Sequence, residues 1–195
     1  MSDQVCLIID LDRCWGCRTC EVACKEEQSL GPGPRPLLVE EIGPRRLDAD
    51  LHKDYVPVMC QHCRQPACLE ACPEGAIQKA ADASVQIDRD LCTRCQACLE
   101  ACPYGAIDWA EKEGPIKCDL CRSRRQRDWW PSCAQHCPGR AVLLASESPV
   151  SPAMSEKKYA WRTGQVIYVS NKWASLGHAM EGREEENGKP ILSRK

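Results

Sequence analysis

The chain has 195 residues, seventeen of them cysteine, and a formal net charge of −2. Phenylalanine is absent and aromatic residues make up 5%, which argues against an ordinary aromatic-rich core. The near-zero charge gives no whole-chain attraction to nucleic acid or anionic membrane, and no run approaches the roughly 20 apolar residues that span a bilayer.

The first element is expected at Val5-Cys-Leu-Ile-Ile-Asp10, an apolar stretch that reads as a strand. It is preceded by no basic n-region, twin arginine or small-residue cleavage site, so the fold is expected to start here rather than a signal peptide. Cys6 lies in this stretch and reads as a buried small hydrophobe.

The other sixteen cysteines fall into four groups of four. Group one is Cys14, Cys17, Cys20 and Cys24, spaced C-x2-C-x2-C-x3-C. A turn-rich connector, Gly31-Pro-Gly-Pro-Arg-Pro-Leu-Leu38, follows. Group two is Cys60, Cys63, Cys68 and Cys72, with an x4 gap and Pro73 behind it. The segment Ser84-Val-Gln-Ile-Asp88 alternates like a strand. Group three, Cys92, Cys95, Cys98 and Cys102, repeats the spacing of group one and ends in Pro103. Group four is Cys118, Cys121, Cys133 and Cys137, with an x11 gap and Pro138. Beyond Leu144 the chain is Ser/Pro-rich to Ser155, a linker by composition. Gln165-Val-Ile-Tyr-Val-Ser170 then reads as a strand, and a charged tail contains Arg183-Glu-Glu-Glu186.

A C-x2-C-x2-C-x3-C-P run is the bacterial ferredoxin signature for [4Fe-4S] clusters, in which the last cysteine serves the other cluster of a pair. Zinc fits poorly, since it takes two C-x2-C knuckles and leaves the third thiolate of a triple unused. Disulfides within C-x2-C would close small strained rings with little stabilisation. Group four is the least regular and leaves room for a different metal. Groups two and three are an internal repeat: Ala67–Ile77 and Ala97–Ile107 agree at ten of eleven positions. Asp10 and Asp88 each stand four residues before the first cysteine of their groups. Each unit reads as strand, cluster loop, short helix, strand.

The fold class expected is α+β: tandem bacterial-type ferredoxin modules, one inserted into the other, with small β-hairpins and short helices around clusters. Residues 1–54 and 113–145 make the outer module (groups one and four), 55–112 the inserted module, and 146–195 a C-terminal extension. The extension is too small to fold alone and is expected to lie on the ferredoxin body or on a partner. Trp173, Leu176, Met180 and Pro190-Ile-Leu192 read as an anchor for a partner, so a chain ending at Ser155 should lose the partner and keep its iron.

The cysteine pattern resembles the four-cluster, ferredoxin-like electron-transfer subunits of the dimethyl sulfoxide reductase group of molybdenum and tungsten oxidoreductases. The resemblance covers about residues 5–145 and includes the x4 and x11 irregularities and Lys117-Cys-Asp-Leu-Cys121. The small polyferredoxin subunits of tungsten aldehyde oxidoreductase and benzoyl-CoA reductase systems are related. The resemblance implies four clusters. The first is held by Cys14, Cys17, Cys20 and Cys137, the second by Cys24, Cys118, Cys121 and Cys133. The third is held by Cys60, Cys63, Cys68 and Cys102, the fourth by Cys72, Cys92, Cys95 and Cys98. It also implies a large molybdenum- or tungsten-pterin catalytic partner, with room for a further donor, acceptor or membrane-anchor subunit. Location follows as cytoplasmic, or exported folded with a signal-bearing partner. Lys25 where a proline is usual, and Cys137-Pro-Gly-Arg-Ala141, depart from the pattern.

Neither a G-x-G-x-x-G nor a P-loop run is present, so a nucleotide, flavin or catalytic constellation on this chain is not expected. Electron relay is the function expected, and a free soluble polyferredoxin carrier is the alternative. His62 reads either as a donor to a cluster sulfur or as a loop histidine packing under the x4 bulge. Trp15 and Tyr104 are expected to shield clusters. Trp129 and Trp130, among Arg122, Arg124, Arg125 and Arg127, are expected to form a lid over the second cluster or a surface for an acidic partner.

Overall fold

The computed structural model describes residues 4–47, 49–146 and 156–173. In chain order the elements are β1 (Val5–Asp10), α1 (Thr19–Glu27), β2 (Leu37–Leu47) and β3 (Asp50–Met59). Then come α2 (Ala67–Glu70), β4 (Ile77–Lys79), β5 (Val85–Ile87), α3 (Ala97–Ala101), β6 (Asp108–Ala110) and β7 (Gly114–Ile116). The last are α4 (Arg122–Arg125), α5 (Ser132–Gln135), β8 (Val142–Ser146), β9 (Tyr159–Thr163) and β10 (Val166–Ser170).

From Cys6 onward β1 is buried on both faces, which places it inside a sheet rather than at an edge. It pairs antiparallel with β8 and parallel with β10, and β9 closes the far edge, giving the order β8-β1-β10-β9. The period of two sorts the side chains. Leu7, Ile9, Val166 and Tyr168 face the main core, while Cys6, Ile8, Ile167 and Val169 form a second apolar layer behind the sheet. Cys6 is therefore packed as a small hydrophobe.

Of the two places expected for the C-terminal segment, the ferredoxin body or a partner, residues 156–173 take the first. They supply β9 and β10, and Trp173 is buried in the main core. A parallel partner for β1 needs a long crossover, and the C-terminal segment provides it. Trp173 is thus not a docking residue, and Leu176, Met180, the tail and the Ser/Pro-rich linker lie outside the described residues.

The second difference is the β2–β3 hairpin. Pairing runs from Leu37↔Met59 to Leu47↔Asp50, with a register shift between Ile42 and Arg45 that accommodates Gly43-Pro44. The boundary expected between residues 54 and 55 falls inside β3. The glycines and prolines of 31–36 hid where the connector ends and the strand begins.

Around group two and group three the elements are short: hairpins β4–β5 and β6–β7, and helix α2 against α3. Helix α1 packs on α5 in the same manner. Among the described residues, the small core that holds Cys68 and Cys98 has three buried aliphatic residues, Ile77, Val85 and Ile107. Such a core needs something other than side chains to hold it.

Candidate metal centres

Each cysteine group begins with the same backbone bend. The residue two after the first cysteine has positive φ in all four: Gly16 (75°), His62 (48°), Arg94 (61°) and Leu120 (57°). Groups one and three repeat it after the second cysteine, at Arg18 (59°) and Gln96 (66°). A non-glycine residue in this region costs roughly 1–2 kcal/mol. Three such residues at one equivalent position mark a loop conformation imposed by what it encloses. Sequence reasoning missed this, because only Gly16 carries the glycine that would signal it.

The loops and helices bring the cysteines together in sets drawn from two groups each. One cavity is lined by Cys14, Cys17, Cys20 and Cys137, a second by Cys60, Cys63, Cys68 and Cys102, and a third by Cys72, Cys92, Cys95 and Cys98. The three cavities are alike in size and in the four cysteines that line each. Cys24, Cys118, Cys121 and Cys133 form the fourth set, all buried where α1 meets α5.

Among the described residues no three His, Cys, Asp or Glu side chains converge as one metal ion requires. The sulfurs surround a space instead, which suits a polynuclear iron-sulfur group and not a zinc knuckle. None of the seventeen cysteines is in a disulfide.

The thiol chemistry points the same way. Burial pushes Cys20, Cys24 and Cys68 up to about 12 and Cys98 up to about 11. In each the next cause is a thiol of its own set: Cys14, Cys121, Cys60 and Cys92 respectively. Burial, followed by neighbouring thiols that include Cys24 and Cys121, raises Cys118 and Cys133 well above the ordinary thiol value. Four thiolates cannot share such a space without a cationic core to compensate them. Cys17 alone is lowered: burial is opposed by hydrogen bonds from the Thr19 side chain and backbone and from the Trp15 side chain.

N–H groups are aimed at several sulfurs. Ala141 N–H donates to Cys137 Sγ at 3.2 Å, Ala106 N–H to Cys102 at 3.4 Å and Leu120 N–H to Cys118 at 3.4 Å. Ser132 N–H reaches Cys121 Sγ at 3.5 Å, and Gln28 Nε2 reaches Cys24 Sγ at 3.6 Å. Such bonds are one of a protein's levers on cluster potential.

The other residues singled out in the sequence sort differently. Tyr104 and Trp15 each line a cysteine cavity, though Trp15 keeps 59% of its surface exposed. His62 is buried, and its Nδ1 accepts the Val85 N–H at 2.9 Å. Burial, then Lys117 and Arg125, hold it well below the usual histidine range. It lines a separate polar cavity with Arg64, Lys79 and Arg162, so it braces the loop against β5. Trp129 and Trp130 are 52% and 44% exposed. Arg124 and Arg127 lie over the Trp129 ring at 5.3 and 5.0 Å. Arg124 also pairs with Glu27 at 2.9 Å, and Arg125 with Asp82 at 2.6 Å, so these arginines tie the x11 loop down. Within the described residues no helix is long and apolar enough to cross a membrane.

Residues 51–147 match the family described as a 4Fe-4S dicluster domain. The chain is 37% identical over 158 residues to the B component of the anaerobic dimethyl sulfoxide reductase of Escherichia coli, covering 73% of each. It is 33% identical over 189 residues to the B component of the selenate reductase of Mesobacillus selenatarsenatis, covering 78% of this chain and 64% of that one. Against the thiosulfate reductase electron transfer subunit PhsB of Salmonella typhi the identity is 32% over 163 residues, covering 81% and 85%. Paired cysteine loops, N–H groups turned onto sulfur and these relatives lead to one assignment: the chain belongs to the iron-sulfur electron-transfer subunits of the dimethyl sulfoxide reductase group of molybdoenzymes.

Proposed function

We propose that each of the four cysteine sets holds one [4Fe-4S] cluster, and that the chain relays single electrons to or from a molybdenum- or tungsten-pterin catalytic subunit. The observation that carries this reading is the exchange of cysteines between groups. Cys137 closes the set of group one, Cys24 that of group four, Cys102 that of group two and Cys72 that of group three. Exchange of this kind locks neighbouring clusters together, as stepwise transfer requires. It also makes the fold two dicluster units, with groups two and three inserted between groups one and four.

Bound clusters supply one-electron chemistry over a wide range of potentials. The chain's own residues fix where and how. The sulfurs hold the iron, the N–H donors of Ala106, Leu120, Ser132 and Ala141 favour added negative charge, and Tyr104 and Trp15 cover two of the sites. Cysteines of the first three sets share one apolar core, and Cys68 and Cys98 share the next, which supports a continuous path from first to fourth. The need to keep thiolates reduced during assembly favours the cytoplasm as the place of loading.

The test is metal analysis of the native complex, purified anaerobically through a tag on this chain. Four cubanes require about sixteen iron atoms per chain, with molybdenum or tungsten in a co-eluting large subunit. About twelve would remove one site, and full iron with neither metal would overturn the proposed partner. Cys72→Ser is expected to disturb the cluster of Cys92, Cys95 and Cys98 and spare that of Cys60, Cys63 and Cys68, although Cys72 belongs to the same group as the latter.

A further inference from the structure

We infer that Lys117 and Asp119, the charged residues on either side of Cys118, set a step in potential between the second and third sites, so that an electron arriving in the chain comes to rest at the Cys60/Cys63/Cys68/Cys102 set. The inference rests on the four-cluster reading above and assigns two residues of the Lys117-Cys-Asp-Leu-Cys121 segment a role that ligation does not use.

Lys117 is 4% exposed, and among the described residues it is the only lysine or arginine so buried. Its Nζ donates to the Val85 carbonyl and, at 3.0 Å, to the Cys118 carbonyl. Val85 is a wall of the third site's cavity, so the ammonium sits at the seam between the two sites. A second ammonium grips the same site from outside: Lys79 Nζ donates to the Cys63 carbonyl at 3.1 Å and the Arg64 carbonyl at 2.9 Å. Asp119 turns the other way. Its Oδ1 accepts the Cys121 N–H at 2.8 Å, which puts a carboxylate inside the knuckle of the second site.

The geometry divides the charges along the same line: Lys79 lies on the loop of the third site, Asp119 within that of the second, and Lys117 between the Val85 wall of the third and the Cys118 carbonyl. Glu27 and Arg124, also near Cys121, pair with each other at 2.9 Å and largely cancel. Reduction adds one electron, and so one negative charge, to a site already bearing four thiolates. A buried cation stabilises that added charge and a carboxylate opposes it, with little solvent screening at Lys117. Lys79 is exposed, so its influence is the weaker of the two.

The experiment is an EPR-monitored redox titration of the anaerobically purified holoprotein and its variants, with iron measured on each sample. Cys63→Ser and Cys121→Ser identify which titration steps belong to the third and second sites. Lys117→Met is expected to lower the third site's midpoint and Lys117→Arg to restore it. Lys79→Met should lower the same midpoint by less, and Asp119→Asn should raise that of the second site. An unchanged midpoint in iron-replete Lys117→Met, or one equal shift of all steps, overturns the inference. If Lys117→Met fails to load iron, Lys79→Met and Asp119→Asn decide: shifts confined to the third and second sites respectively uphold it, and their absence overturns it. Fewer than four clusters in the unaltered protein would instead refute the four-cluster reading itself.

Discussion

The backbone N–H of Gln165 donates to the carbonyl of Gln61 at 2.8 Å, so the β9–β10 turn is bonded to the loop between Cys60 and Cys63. Gln61 in turn reaches the Met59 carbonyl through Nε2 at 2.6 Å, and Thr163 Oγ1 donates to Gln61 Oε1. Tyr168 donates to the Pro57 carbonyl at 3.1 Å and stacks on Trp161 with ring centroids 5.9 Å apart. The last hairpin of the described fold therefore braces the loop that opens the third site.

Gly164 is the tightest point of that brace. It has φ +60°, and a Cβ there would lie 2.1 Å from the Gln61 carbonyl oxygen and 2.7 Å from that of His62. Both neighbours are backbone and cannot yield. Gly164→Val is expected to displace the hairpin and, with four clusters as proposed, to cost the protein the third of them, about a quarter of its iron. Iron analysis with EPR spin counting reads this directly, and full occupancy would refute the brace. Ending the chain at Ser155 removes β9 and β10 altogether. It should therefore lower iron content, the opposite of what a free docking arm requires.

Gly16 makes a parallel case at the first site. Its φ is +75°, and an added Cβ would meet the Tyr55 ring at 2.3 Å. Gly16→Ala is expected to destabilise the holoprotein by more than the roughly 1–2 kcal/mol that a left-handed alanine costs. Adding Tyr55→Ala should recover only the steric part. Denaturant unfolding of the single and double variants measures both; complete recovery would mean that backbone strain is absent.

Asp82 couples the β4–β5 turn to the x11 loop through Arg125, whose Nε also donates to the Leu120 carbonyl at 2.7 Å. Burial would raise the carboxyl, but hydrogen bonds from Ser84 and Arg125 outweigh it and bring it down to about 2. A folded value below the unfolded one of about 3.9 means that the stability it contributes is complete above pH 4 and lost as pH falls towards 2. Asp82→Asn should therefore cost about 1 kcal/mol, the upper range for partly exposed pairs, by the same amount at pH 5.5 and pH 8. Thermal midpoints of the two proteins at those values test this. A gap that closes between them would contradict the assignment.

Much of the site was legible because cysteine spacing is dictated by the geometry of what it binds. The repeat Ala67–Ile77 against Ala97–Ile107 and the strand at 165–170 were readable for similar reasons, since the first is identity and the second is a short run of β-branched and aromatic residues. What escaped was set by distant contacts. The left-handed bends at His62, Arg94 and Leu120 carry no glycine, because the enclosed group and not the local propensity selects them. The β2–β3 hairpin was masked by Gly43-Pro44 in its middle, where a register shift absorbs them. Trp173 looked like an interface residue on helical spacing with Leu176, yet its backbone N–H donates to Ser170 Oγ at 3.1 Å and its ring is buried. Lys117 and Asp119 were visible only as motif letters until their partners were known.

Removal of iron should not dissolve the chain evenly. Around groups two and three the buried aliphatic core is Ile77, Val85 and Ile107 with cysteines filling the rest, and three-residue strands bury too little to fold alone. The sheet β8-β1-β10-β9 is different. It buries Leu7, Ile9, Val166 and Tyr168 on one face and Ile8, Ile167 and Val169 on the other, and none of these residues is an iron ligand. Lys157 adds pairs with Asp10 and Asp12 at 2.9 Å each, which bind residues 156–158 to the end of β1. Chelator-stripped protein is therefore expected to lose amide protection across β4 to β7 first, while β1 and β10 keep the slowest exchange of the chain. Hydrogen exchange read by mass spectrometry separates the outcomes. Equal loss throughout would make the clusters the sole support of the fold, and surviving protection in β4 to β7 would show that the inner segment stands without them.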